Sequence, residues 1–116
     1  MKLTSLASLL ILTTIPATAA QGINFPYQKH YACTWLLTGT PQPAPDLYTA
    51  VNARSGAMTL QRAGSQVYYA KKIDNGIWQE LNPEPNQAEE YIRVSPDGML
   101  DTYQANIQMS TCIEVE

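Results

Sequence analysis

The chain has 116 residues, and its ten acidic side chains outnumber its seven Lys and Arg. That acidic balance excludes binding to nucleic acid by bulk electrostatics. With a single histidine and two cysteines, the chain also lacks the Cys/His set of a structural zinc site.

The first element is an export signal. Lys2 is followed by an uncharged stretch from Leu3 to Pro16, rich in Leu, Ile, Ser and Thr, and then by Ala17-Thr18-Ala19-Ala20. A basic start, a short apolar run and small residues at a cleavage site define a secretory signal peptide. The run is about 14 residues, short of the roughly 20 that span a bilayer. Residues 1–20 are therefore expected to be removed after Ala19 or Ala20, and residues 21–116 to form one secreted domain. Removal of Lys2 leaves six basic against ten acidic residues, about four net negative charges. In an exported chain the remaining pair, Cys33 and Cys112, reads as a disulfide. It would close most of the domain and stabilise it by ~4–5 kcal/mol in the chain-entropy model.

Gln21 to Lys29 reads as extended chain. His30 to Leu37 is a strand whose alternation puts Tyr31, Cys33, Trp35 and Leu37 on one face. Thr38 to Pro45, with three prolines and a glycine, is a loop. Next comes the one expected helix, Asp46–Ser55. Asp46 suits an N-cap and Gly56 a C′ position, and Leu47, Ala50, Val51 and Arg54 fall at i, i+3, i+4 and i+7. Strands follow at Ala57–Arg62, Gln66–Lys72, Ile77–Leu81, Glu90–Val94, Met99–Asn106 and Ile107–Val115. Turns are expected at Ala63-Gly64-Ser65, Asp74-Asn75-Gly76 and Pro96-Asp97-Gly98, and a loop at Asn82–Ala88. One early helix and a run of short strands give an α+β fold, a short helix packed on a twisted antiparallel sheet.

Chemistry is sparse. No phosphate-binding Gly-Lys-Ser/Thr loop and no Gly-x-Ser-x-Gly elbow occur. A Ser-His-Asp triad would have to recruit His30, which reads as an ordinary strand residue. Glu80 and Asp101 are a carboxylate pair on paper only. No cofactor and no metal is expected. Lys71-Lys72 is the only local basic spot, and the aromatic residues serve either a small core or base stacking.

Tyr31-Ala32-Cys33 soon after the signal, a lone second cysteine near the C-terminus and a domain of about a hundred residues resemble one known group. These are the secreted effector candidates of powdery mildew fungi, marked by a Tyr/Phe/Trp-x-Cys motif and related in fold to the fungal guanyl-specific ribonucleases. The resemblance implies a microbial ribonuclease-like fold whose two ends are joined by the disulfide. In its motif order Tyr69 to Asn75 and Trp78 to Pro83 stand where two catalytic strands would be, and Arg93 precedes a turn. The catalytic histidines have no counterpart: Lys71 and Asn106 stand in their places. A lysine near its usual pKa of ~10.4 is no base at neutral pH. The resemblance thus implies a non-catalytic effector, monomeric, without cofactor, metal or membrane, that binds a host protein or RNA through Lys71, Lys72, Glu80, Arg93 and Tyr69.

Two other readings stand beside it. One is a divergent ribonuclease using Glu80 with Arg93 or Lys71. The other is an exported inhibitor similar to the bacterial inhibitors of animal-type lysozyme, which are small β-barrels with cysteines near both ends. Gly64-Ser65-Gln66-Val67-Tyr68 followed by Trp78 is similar to their signature, although Val67 stands where a basic residue is expected. The helix at Asp46–Ser55 separates the readings, because an all-β barrel has no place for it.

Overall fold

The computed structural model describes residues 22–37, 39–81 and 89–115. The expected signal peptide and the expected loop at Asn82–Ala88 lie outside them. Eight strands, β1 (Lys29–Trp35), β2 (Gln42–Val51), β3 (Met58–Arg62), β4 (Val67–Asp74), β5 (Ile77–Glu80), β6 (Glu90–Val94), β7 (Leu100–Gln104) and β8 (Ile107–Val115), pair in chain order. Each pairs antiparallel with the next, and β8 returns to β1, so the sheet closes into a barrel. Closure removes the sheet edges that would otherwise template aggregation.

The expected α+β fold is thereby overturned: no helix occurs among the described residues. The segment expected to be the helix Asp46–Ser55 is strand to Val51, paired on one side with β1 and on the other with β3. The turn that follows begins at Asn52, whose Oδ1 accepts from the Arg54 and Ser55 amides. The microbial ribonuclease-like arrangement, a helix laid on a sheet, goes with it. The reason is local. Tyr48, Thr49 and Val51 are β-formers, and alternation sends Leu47, Thr49 and Val51 to one face and Tyr48 to the other. Helical spacing accounted for Leu47 and Val51 but left Tyr48 without a role. Tyr48 is nevertheless inaccessible, because residues 22–28 cross the outside of the barrel and cover it. Ile23 is buried there, Tyr27 meets Tyr48 edge-on with ring centroids 4.8 Å apart, and the Asn24 amide donates to Gln61 Oε1. Asp46 caps no helix; its carboxylate holds His30 Nε2 at 2.7 Å.

Part of the expected loop Thr38–Pro45 is also strand. Pro43 and Pro45 sit where β2 runs past the end of β3 and has a strand neighbour on one side only, which is where a sheet tolerates proline. The other expected strands and turns hold to within a few residues. The barrel is filled by Tyr31, Leu47, Met58, Leu60, Ala70, Trp78, Ile92 and Leu100. Cys33 and Cys112, directly opposed on β1 and β8, form the expected disulfide at the closing seam.

Candidate functional site

Up-and-down topology gathers the connections into two sets, one at each end of the barrel. At one end lie those after β1, β3, β5 and β7, and here the interior is not filled. A cavity of about 230 Å³ opens between them, lined by residues of all eight strands. The opposite end is closed by Trp78, whose indole Nε1 donates to the Gly56 carbonyl at 2.7 Å.

Alternation explains which side chains reach the cavity. Inward positions on β1 run Tyr31, Cys33, Trp35, and those on β3 run Met58, Leu60, Arg62; in each the last residue stands at the open end. Arg62 is largely buried. Its guanidinium lies 4.5 Å from the centre of the Trp35 ring and donates to Ser110 Oγ at 3.0 Å and to the Pro45 carbonyl at 3.3 Å. Ser110 Oγ lies 2.6 Å from Thr102 Oγ1, which extends the polar chain to β7. Desolvation lowers the Arg62 pKa, and the charge of Glu90 opposes that.

The far wall carries two carboxyl groups. Gln79 is paired with Tyr91, so Glu80 on β5 and Glu90 on β6 stand one step further toward the open end, both facing inward. Glu80 is pushed up to about 7, first by burial, then by the charge of Glu90 and a hydrogen bond with it. A second carboxylate held so close disfavours the charged form of Glu80, which adds to the effect of burial. Tyr68 and Tyr103 complete the lining beside them.

Of the five residues expected to form a contact surface, only Glu80 enters this site. Lys71 is paired with Gln79 on β4 and β5 and is exposed on the outer wall. Lys72 lies toward the closed end, its Nζ 6.0 Å from the Trp78 ring. Tyr69 is exposed, and Arg93 stands on the outer wall of β6 opposite Asp101. The set expected to act together is thus spread over both faces and both ends of the barrel. The paper pair of Glu80 and Asp101 does not form: Asp101 accepts from Thr111 Oγ1 at 2.7 Å, and the carboxyl partner of Glu80 is Glu90. Asn106 lies in the exposed turn between β7 and β8. His30 is held by Asp46, and its ring is stacked on Tyr48 at 4.3 Å. No group of three or more metal-ligating side chains occurs among the described residues.

Sequence reasoning missed Trp35, Arg62 and Glu90 as one site. The available signal was alternation within β1, β3 and β6; what it lacked was closure, which alone brings the ends of non-adjacent strands face to face.

Three large apolar side chains are exposed around the mouth. Leu37, Leu81 and Ile107, 52, 40 and 65 % exposed, stand at or beside the connections after β1, β5 and β7. The β3–β4 connection, Ala63–Gln66, projects at the same end, with Gly64 at φ 82° and Ser65 on the cavity rim. No protein-family model matches the chain, and neither a curated protein nor a solved structure matches it significantly.

Proposed function

We propose that the chain is an exported, non-catalytic inhibitor that binds a protein enzyme through the open end of the barrel, as an inhibitor of an animal-type lysozyme would. The observation that carries this reading is the closed all-β barrel itself, with its cysteines on the first and last strands. It supplies the architecture that the Gly64-Ser65-Gln66-Val67-Tyr68 signature and Trp78 required, and it removes the helix that stood against them. The signature occupies the β3–β4 connection and the start of β4, a hairpin turn exposed at Gly64, Ser65 and Gln66 and so available to an enzyme's cleft. Three large apolar side chains exposed around it mark a protein-binding face more than a solvated one. The acidic chain favours a basic protein partner over RNA. A nuclease reading loses its support, since Lys71 and Arg93 stand on the outer wall and Glu80 inside.

The test is direct. The oxidised domain, residues 21–116, is expected to inhibit cell-wall lysis by an animal-type lysozyme and to comigrate with it as a complex. Ser65→Trp, at an exposed turn position, is expected to weaken inhibition about tenfold or more, a loss of about 1.4 kcal/mol. Absence of both inhibition and complex with the domain in excess would refute the reading.

A further inference from the structure

The cavity has a use that inhibition at the rim does not require. Its two walls carry opposite charges: Arg62 against Trp35 on one side, Glu80 and Glu90 on the other. Between them lie Tyr68, Tyr103 and apolar side chains. Arg62 is engaged by the Ser110 hydroxyl and the Pro45 carbonyl. With both glutamates ionised, the described lining residues carry one net negative charge. We infer that the open end of the barrel binds a small organic monocation, an ammonium or guanidinium on an apolar body, with its charge on the Glu80–Glu90 pair and its body against Trp35, Tyr68 and Tyr103.

The size and chemistry agree. At about 230 Å³ the space is below the ~300–1,000 Å³ of pockets for drug-sized ligands, so the guest is small. Aromatic faces beside carboxylates are the usual surroundings of an organic cation. The structure also indicates how binding depends on pH. The charged and titratable groups facing Glu80 are Glu90 on β6, Arg62 on β3, Tyr68 on β4 and Tyr103 on β7. Arg62 keeps its charge between pH 6 and 8, and Glu80 is the group pushed up toward neutrality. Below neutrality Glu80 already holds a proton, which the guest must displace; one proton leaves for each cation bound. With Glu80 at about 7, the affinity is expected to rise about tenfold from pH 6 to pH 8 and to level off above that.

Phenethylamine, charged throughout that range, is the probe, and 2-phenylethanol is its neutral counterpart. Calorimetric titration of the oxidised domain at pH 6 and pH 8 should show phenethylamine bound about tenfold tighter at pH 8, with proton release at pH 6. 2-Phenylethanol should bind more weakly, without pH dependence. Glu80→Gln should abolish the pH dependence, and Glu80→Gln and Glu90→Gln should each remove the preference for the amine, while thermal melting shows each variant folded. Equal affinity for the two probes, affinity for the amine that is flat with pH, or a preference for it that survives both variants would overturn the inference. None of these readings involves a lysozyme, so the two proposals fail separately.

Discussion

Tyr48 shows what a single residue can report about a barrel with two layers. Its side chain is inaccessible to solvent, and its hydroxyl finds no hydrogen-bond partner among the described residues. Burial is the first cause of its raised pKa, ahead of the nearby Asp46 charge. The ring itself is well placed: stacked on His30 with the planes 13° apart and edge-on to Tyr27 at 65°. A buried hydroxyl without a partner carries a desolvation cost that no bond offsets. Tyr48→Phe keeps both ring contacts and removes only that cost. It is expected to leave stability unchanged or to raise it by up to ~1 kcal/mol in chemical denaturation. A loss of more than that would mean the hydroxyl is bonded after all. Glu80 teaches a different lesson at the same scale. The sequence singled it out as an acid–base candidate beside Lys71 and Arg93. What matters about it is Glu90, a residue ten positions on that only the β5–β6 register brings alongside.

At the scale of the element, most of the barrel was legible. Strands β3 to β8 and their turns follow from alternation and from Gly, Asn, Asp and Pro signals, and the cysteine pair was readable from the expected export signal and the even cysteine count. Strand β2 was not, for a physical reason. It is covered on both faces, by the core within and by residues 22–28 outside, so Leu47, Tyr48 and Thr49 are buried in succession. A doubly covered strand loses the alternation that identifies strands and falls by chance into helical spacing. The cavity was illegible for a related reason, since no local pattern states that β8 returns to β1. The turns can be tested pairwise. Gly76, between β4 and β5, has φ 70°, and a Cβ there would stand 2.7 Å from the Val94 carbonyl oxygen. The Gly76 carbonyl itself accepts from the Val94 amide, so β6 backbone cannot easily retreat. Gly64 has φ 82° with open space around it. Gly64→Ala is therefore expected to cost only the left-handed backbone penalty, ~1–2 kcal/mol. Gly76→Ala should cost that and the clash, at least about 1 kcal/mol more in the same denaturation experiment. Equal costs would show that the β6 backbone yields.

For the whole molecule, the raised pKa of Glu80 becomes a dependence of stability on pH. Glu80 is raised in the folded chain from 4.5 to about 7, so between those values the folded state holds a proton that the unfolded state has released. Stability from this source is fully present below about pH 4.5 and is lost as pH rises through 7. The direction is opposite to that of a salt-bridged carboxylate, and it adds to the repulsion within a chain whose ten acidic side chains outnumber its seven basic ones. Glu80 is partly exposed at the open end, and solvent screening reduces the effect to the order of 1 kcal/mol. The melting temperature of the oxidised domain should accordingly be higher at pH 5.5 than at pH 8, by a few degrees for a domain of this size. Glu80→Gln removes the charge while retaining a donor for the Glu90 carboxylate. It should flatten that slope and make the variant more stable than the parent at pH 8, with little difference between them at pH 5.5. A slope unchanged by Glu80→Gln would place the titrating group elsewhere. A variant less stable than the parent at both pH values would mean that the carboxyl group of Glu80 contributes more to closing the barrel end than its charge costs.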